Sequence, residues 1–427
     1  MCHSQQQMKK SLKAFCVLSL LLFCYSNVSA SALSIEELYD SAKDYNPGLK
    51  RLELERTLQE KRIDELRTAF FPSLSLNGTY FYGNVPIGDE VNQSGFERID
   101  TQNAINFSTT LFNGGAEYTY FKFKNILPDL AKNQKDAGLF NFFLQLNAFY
   151  FNYLNQMKQH DLLSKQVKSL KKRLSILKKW SSIGRVRKAD YLATLSQLKS
   201  LESLAQQAIE NKGVAQLNLK ALSGVMLEVE NDFLNFNEFY TLPESWNKDI
   251  TSRPEYKVLE SSIENQRQNI TVQKAVLRPQ LNFSSNYYLN RRQFGRQDEW
   301  DVGLNLSWNF IDFGATKSRV AQEQIRFFQL KSDLENTKVN LEAEMRVLET
   351  RFLSQLKRKK LLEESLDAAK GNYAEQRREY DKGLVDALDV NQSLEQLINA
   401  ELSLETLKHS VAEQWYALRL MSGDIEL

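Results

Sequence analysis

An internal repeat constrains this chain more than any other feature of its sequence. Five residues of the first half return in the second half, and the pairs are Pro47 with Pro254, Pro72 with Pro279, Gly184 with Gly383, Asp190 with Asp389, and Gly224 with Gly423. The proline pairs are 207 residues apart (254 − 47) and the later pairs 199 (389 − 190), so the first copy has an insertion between Pro72 and Phe112. The repeat predicts two copies of one architectural unit, at residues 31–230 and 231–427.

Each copy contains two segments in which apolar and polar residues alternate. These segments are predicted to be strands at 73–82 and 103–112 in the first copy and at 280–289 and 302–311 in the second. Alternation over about ten residues is typical of a transmembrane barrel strand with one lipid face and one wet face. On the pattern alone, a soluble β-sandwich is an equal alternative. The residues predicted to face lipid are Leu74, Leu76, Ile105, Phe107, Leu281, Phe283, Leu304 and Leu306.

The rest of each copy is predicted to be helical. Between Ala315 and Lys382 there is no proline and one glycine, Gly371, so an uninterrupted helix there would be about 100 Å long. Further on, an apolar residue recurs every seven positions, at Leu397, Leu404, Val411 and Leu418, and the first copy has a matching row at Leu201, Ala208, Ala215 and Leu222. Such a spacing indicates the seam of a coiled coil.

The N-terminus has the pattern of a secretory signal. Three lysines precede an apolar run at 14–25, and small residues follow at Ala30 and Ala32, so residues 1–30 are predicted to be a signal peptide. A retained membrane anchor is the alternative, but the run is shorter than a bilayer-spanning helix requires. No later segment has the roughly 18 consecutive apolar residues of a transmembrane helix, so membrane insertion would have to use strands.

The composition offers few residues for catalysis or metal binding. All three cysteines lie inside the predicted signal, and beyond it the histidines are His160 and His409, neither in a metal-ligand or nucleophile spacing. We therefore predict that the chain is not an enzyme and has no cofactor and no metal site. Its 55 basic and 53 acidic residues nearly balance, which argues against a nucleic-acid partner.

The order of these elements, occurring twice, resembles the TolC-like family of outer-membrane efflux and type I secretion channels. The resemblance extends from the Leu-Ser-Ile-Glu-Glu-Leu segment at 33–38 to Ser422-Gly423. It implies an α+β membrane protein with two internal repeats, in which a long α-helical coiled-coil barrel joins a trimeric 12-stranded transmembrane β-barrel. Each subunit would contribute four strands. Because four strands cannot close a barrel alone, the sequence independently favours an oligomer.

The function implied by the resemblance is that of a passive exit duct in the outer membrane with a tunnel across the periplasm. The implied partners are two further copies of the chain, a periplasmic membrane-fusion adaptor, an inner-membrane pump that supplies the energy, and outer-membrane lipid. The duct would belong to a tripartite efflux pump or to a type I secretion system. The alternative is a periplasmic coiled-coil adaptor, or a structural protein of an envelope export complex.

The resemblance also places a periplasmic tip at 184–190 and 383–389. The turns at Gly184 and Gly383 would dock the adaptor. A structural alternative explains both turns without any function, because glycine can end a helix and an aspartate can cap the next one.

The gate implied by the resemblance lies beside these turns. Tyr380 would donate a hydrogen bond to Asp190, and Asp389 would contribute an acidic ring. Two positions depart from the family pattern, since Val385 replaces a gating arginine and Gln392 replaces a second acidic residue. Because of these two departures, the sequence does not decide whether the gate includes a latch between subunits.

Overall fold

The structure is a computed structural model that describes residues 34–68, 71–85, 96–227, 236–244, 246, 249–291 and 299–425. The predicted signal at residues 1–30 lies outside this range. The α-helices are α1 (Ile35–Tyr45), α2 (Pro47–Thr68), α3 (Thr119–Ser182), α4 (Lys188–Ser223), α5 (Pro254–Ala275), α6 (Ala315–Asp381) and α7 (Ala387–Met421). The strands are β1 (Ser73–Val85), β2 (Phe96–Asn113), β3 (Gln280–Arg291) and β4 (Trp300–Ser307).

The described residues form two compact units. The first contains the described residues up to Asn46 with Leu146–Thr241 and Lys359–Ala412, and the second contains Pro47–Gln145, Leu242–Arg358 and the chain from Glu413 onward. Each unit therefore draws on both halves of the sequence. The order of helix, strand pair, long helix and shorter helix occurs in each half, whereas the division into repeats at residue 230 stays a prediction.

The helices pack through the seams that the seven-residue spacing predicts. Leu397, Leu404, Val411 and Leu418 are all buried, as are Leu201, Ala208 and Ala215 of the matching row. In the first unit, Leu397 and Leu404 of α7 pack against Leu366 of α6. Leu201 and Ala208 of α4 form a second core cluster with Leu163 and Leu170 of α3. The predicted coiled-coil packing is thus confirmed at these positions.

Local hydrogen bonds fix the beginning of α1 and the end of α4. The Ser34 hydroxyl accepts from the Glu37 backbone N–H (3.2 Å), and the Glu37 carboxylate accepts from the Ser34 N–H (2.9 Å). This reciprocal pair satisfies two backbone donors that a helix start leaves free. Beyond α1, the Asn46 amide donates to the carbonyl of Leu222 in the last turn of α4 (2.9 Å). The motif before Pro47 therefore joins two helices of the first unit.

The four strands form one antiparallel sheet in the order β1-β2-β3-β4. Leu74 lies opposite Phe107 and Leu76 opposite Ile105. In the pairing of β3 with β4, Leu281 lies opposite Leu306 and Phe283 opposite Leu304. Phe283 also lies opposite Thr109 of β2. Directly opposed residues share a face of a sheet. The register therefore brings all eight residues predicted to face lipid onto one face, which is largely exposed in the single chain.

The opposite face of the sheet is polar and connected by hydrogen bonds. The Asn106 amide donates to the side-chain oxygen of Asn286 (2.6 Å), and the Asn286 amide donates to Asp301 (2.8 Å). The Tyr288 hydroxyl donates to the second oxygen of Asp301 (2.7 Å). These contacts run from β2 across β3 to β4, so at this level of the sheet the two faces differ in chemistry.

The last strand is shorter than predicted. The sequence pattern places its end at residue 311, but β4 ends at Ser307, which lies opposite Gln280, the first residue of β3. The residue before Gln280 is Pro279, which has no N–H for a further ladder bond. Beyond β4, the Trp308 indole donates to the carbonyl of Leu277 (3.1 Å). Alternation of residue type thus continued past the point at which β3 can pair.

Polar contacts also connect the helices of the second unit. The Asn133 amide of α3 donates to the Ser261 hydroxyl of α5 (2.6 Å), and the Gln266 amide of α5 donates to the carboxylate of Glu323 in α6 (2.6 Å). In the part of the chain that the structure describes, no helix is both long enough and apolar enough to cross a membrane.

Candidate functional site

The candidate site lies in the first unit, at the two turns that connect α3 to α4 and α6 to α7. We call α3 and α4 the first hairpin and α6 and α7 the second hairpin. In the first hairpin, the Gly184 N–H donates to the Ser181 carbonyl (3.2 Å) and the Arg185 N–H to the Trp180 carbonyl (2.9 Å). This pair of bonds closes the helix end in a Schellman motif, which satisfies carbonyls that the helix leaves free.

The turn of the second hairpin has the same geometry. The Gly383 N–H donates to the Tyr380 carbonyl (2.9 Å), and the Leu384 N–H donates to the Glu379 carbonyl (2.9 Å). Gly383 has a φ of +75° and its counterpart Gly184 a φ of +73°, the left-handed region that favours glycine. A Cβ at either position would meet no atom within 4 Å. The glycines are therefore required by the backbone conformation and not by close packing.

The aspartates that follow each glycine by six residues do not cap the next helix by themselves. In the second hairpin the cap is Asp386, whose carboxylate accepts from the N–H groups of Leu388 (2.8 Å) and Asp389 (3.3 Å). The Asp389 carboxylate in turn accepts from the Asp386 N–H (3.2 Å). In the first hairpin the capping position is Arg187, which makes no side-chain cap bond. The helix of the second hairpin is therefore capped by Asp386 and not by Asp389, the aspartate at the end of the predicted tip.

Arg187 connects the two hairpins, a role that the sequence analysis missed. Its guanidinium donates to both carboxylate oxygens of Asp190, from Nε (3.2 Å) and from Nη2 (2.9 Å). The same Nη2 lies 3.7 Å from the carboxylate of Asp386 in the second hairpin. Arg187 itself is exposed, whereas Asp190 is buried. The available signal was the three-residue spacing from Arg187 to Asp190, which places the two side chains on one side of a first helical turn.

The predicted hydrogen bond from Tyr380 to Asp190 is wrong for this structure. The Tyr380 hydroxyl is buried and has no hydrogen-bond partner among the described residues, whereas the Asp190 carboxylate accepts from Arg187. Burial and, to a smaller extent, the charge of Asp190 raise the pKa of the Tyr380 phenol. The ring of Tyr380 lies against Arg173 of α3, whose guanidinium carbon is 5.2 Å from the ring centroid. This distance is within the range of a cation–π contact.

The two turns enclose an open cavity of about 930 Å³. Its lining includes five of the residues singled out from the sequence, namely Asp190, Tyr380, Gly383, Val385 and Asp389. Asp389 is exposed, and Gln392 is exposed without lining the cavity. Among the described residues there is no cluster of His, Cys, Asp and Glu that could hold a metal ion. The cavity therefore offers charged and phenolic groups at the meeting point of the two hairpins.

Comparison with protein families identifies the second half of the chain. Residues 248–424 match the family model described as "Outer membrane efflux protein". This segment includes α5, the strands β3 and β4, and the second hairpin. No curated protein sequence matches the chain.

Comparison with solved structures concerns nearly the whole chain. The Campylobacter jejuni CmeC outer membrane channel is similar with a TM-score of 0.80 and 16% identity, over 91% of this chain and 85% of that one. A CusC structure gives 0.78 and 15% over 90% and 91%, and the outer membrane protein VceC from Vibrio cholerae gives 0.73 and 14% over 90% and 95%. The chain thus has the fold of these channels, and the resemblance to the TolC-like family is confirmed.

Proposed function

We propose that this chain forms a passive exit duct in the outer membrane, as part of a tripartite efflux pump or a type I secretion system. Its resemblance to outer-membrane efflux channels in fold and family supports this proposal. The observation that carries the proposal is the sheet with two unlike faces. One face carries eight apolar side chains from four strands, six of them exposed in the single chain, and the other joins Asn106, Asn286 and Asp301 by hydrogen bonds. An apolar outer face and a polar inner face are what a water-filled barrel in lipid requires.

Closure of the sheet supports a homotrimer. Within the described chain, β1 and β4 each have a neighbour on one side only. Edge strands leave N–H and C=O groups without ladder partners, which cannot persist in the hydrocarbon region of a bilayer. Three copies arranged in a ring would pair β1 of one copy with β4 of the next and give 12 strands. In this arrangement the eight apolar residues face lipid in the outer membrane.

The hairpins would then continue the duct as a tunnel across the periplasm, with its tip at the turns of Gly184 and Gly383. Energy would come from an inner-membrane pump, joined to these turns by a periplasmic adaptor. At the turns of this chain, Arg187 connects the hairpins through Asp190 on its own hairpin and Asp386 on the other. We propose that breaking this connection contributes to opening. Asp389, exposed at the start of α7, would supply an acidic ring, to which the neutral Gln392 adds no charge.

Fractionation and native mass spectrometry test the proposal together. The protein should be found in the outer-membrane fraction and should leave detergent micelles as a trimer. The variant Asn286→Leu removes the amide that connects Asn106 to Asp301 on the polar face. It should lower the yield of trimer and leave the helical signal in circular dichroism unchanged. Recovery as a soluble periplasmic protein would favour the adaptor alternative. A monodisperse monomer that retains its β-sheet signal would refute the trimeric duct.

A further inference from the structure

Arg173 of α3 has a positive charge at a place where the surrounding protein does not complete its hydrogen bonds. Its Nη1 and Nη2 atoms are both buried, and neither has a partner among the residues that the structure describes. The Tyr380 hydroxyl, on the ring that lies against Arg173, is also buried and without a partner. Buried polar groups are normally hydrogen-bonded, so two such groups at one place require an explanation.

The charge on Arg173 cannot be removed by losing a proton. Burial lowers the pKa of its guanidinium and outweighs Tyr373, Tyr380 and Asp381, which act in the opposite direction, while the positive charge of Arg377 adds to the lowering. An arginine nevertheless stays protonated in proteins, because its ordinary pKa is above 12. A buried cation without hydrogen-bond acceptors is strongly unfavourable. The arrangement therefore calls for an acceptor that the packed side chains do not provide.

The space next to these groups can hold a ligand. Arg173 and Tyr380 both line an open cavity of about 430 Å³. Most residues of its lining do not belong to the larger cavity between the turns; the two cavities share Trp180, Tyr380 and Asp381. Lys172 and Arg377 add two positive charges to the wall, and Asp381 is the one carboxylate among the described residues that line it. Arg377 and Lys172 are exposed, so solvent reaches the cavity past them. The wall thus has three positive charges against one negative charge.

We propose that this cavity is a binding site for a small oxyanion, with a phosphate or a carboxylate group as the ligand. The guanidinium of arginine has a fork of donors that matches two oxygens of either group. The Tyr380 hydroxyl can donate to the same ligand, and Lys172 and Arg377 attract it electrostatically at the mouth. A monatomic anion such as chloride offers one centre and not two oxygens at the spacing of the fork, so it should bind less tightly than either group.

A bound oxyanion would connect the two hairpins below their turns. Arg173 and Lys172 belong to α3, whereas Arg377 and Tyr380 belong to α6, so the ligand would contact both helices at once. The connection is distinct from the one through Arg187, which lies at the turns themselves. The site does not depend on the proposed duct, because every residue that forms it belongs to one chain and to the first unit.

Calorimetric titration of the full-length protein in detergent tests the site. Sodium phosphate, sodium succinate and sodium chloride are each titrated at constant ionic strength and pH. We expect saturable binding of phosphate or succinate at one site per chain, and the comparison of the two identifies the preferred group. Loss of charge-assisted hydrogen bonds in Arg173→Gln should weaken this binding by about 10- to 100-fold. Arg173→Lys, which keeps the charge without the fork, should bind with intermediate affinity.

Two further variants make the test independent of folding defects. Arg377→Gln changes an exposed side chain at the mouth and should also weaken oxyanion binding, whereas Lys178→Gln removes an exposed charge of α3 outside the cavity and should leave it unchanged. Circular dichroism checks that each variant is folded. The proposal is overturned if the wild-type protein shows no saturable oxyanion binding. It is equally overturned if chloride gives the same response as the oxyanions, or if folded Arg173→Gln binds like the wild type.

Discussion

Replacing one leucine of β4 by arginine tests the assignment of the two sheet faces. Leu304 lies opposite Phe283 of β3 in the interior of β4, and 66% of it is exposed in the single chain. If this face contacts lipid, an arginine there costs about 2–4 kcal/mol near the bilayer midplane. Since each 1.4 kcal/mol is a factor of ten, Leu304→Arg should lower the equilibrium constant for insertion by roughly 30- to 700-fold.

Two matched variants on the same strand supply the controls. Asn305→Arg places the same side chain on the polar face, opposite Asn282, and should insert like the parent protein. Leu306→Arg lies on the apolar face but one residue from the end of β4, where the cost should fall toward about 0–1 kcal/mol if this end is near the membrane surface.

The assay is urea-dependent folding into lipid vesicles, followed by the trimer band on unheated gels. The expected order of defects is Leu304→Arg first, Leu306→Arg second and Asn305→Arg last. Similar defects for Leu304→Arg and Asn305→Arg would refute the assignment of faces, because the two side chains differ only in the side of the sheet from which they project.

Three further predictions concern the helices. Gly224→Ala should destabilise the protein more than Gly423→Ala. Both glycines have left-handed backbones, but only at Gly224 would the added Cβ lie 2.4 Å from a ring atom of Tyr45, an overpacking that costs about 1–3 kcal/mol. Equal thermal midpoints for trimer dissociation in the two variants would contradict this prediction. Arg187→Gln should raise single-channel conductance in planar bilayers while the neighbouring Lys188→Gln does not, and unchanged gating in both would show that Arg187 does not hold the tip closed. Two lysines lower the pKa of Glu202 from 4.5 to about 2, so its ion pairs stabilise the fold fully above pH 4.5 and are lost as the pH falls toward 2. Glu202→Gln has no such ion pairs, so it should lack this part of the acid-dependent loss of helicity at 222 nm. If the variant and the parent lose helicity along the same curve, the ion pairs do not stabilise the fold.

Local rules were enough to predict the elements and their faces. Period-two alternation predicted all four strands, and their pairing brings the eight marked residues onto one face because side chains in a strand point alternately to opposite sides. The seven-residue spacing predicted the buried seam of α7, and Gly184 and Gly383 marked the two turns. Each of these inferences depends on residues close to one another in sequence.

The errors in the candidate site concern the partners of its charged and polar side chains. The family resemblance pairs Tyr380 with Asp190, but in the structure the Asp190 carboxylate accepts from Arg187, three residues before it, and the Tyr380 hydroxyl has no partner among the described residues. The burial of Arg173 was not foreseen either, since a basic residue within a lysine-rich helix reads as an exposed one. The contacts of Arg187 with Asp386 and of Arg173 with Tyr380 cross between the hairpins, so they depend on how the hairpins pack.

The sequence by itself determined the periodic parts of this protein: the strands and their faces, the helical seams, and the glycines at the turns. Only the tertiary structure decided that Arg187 lies between Asp190 and Asp386, and that Arg173 meets Tyr380, more than 200 residues away in the chain, without an acceptor. The physical reason is the range of the interactions. Periodicity and backbone conformation depend on neighbours within a few residues, whereas the partners of buried charges depend on how separate helices pack.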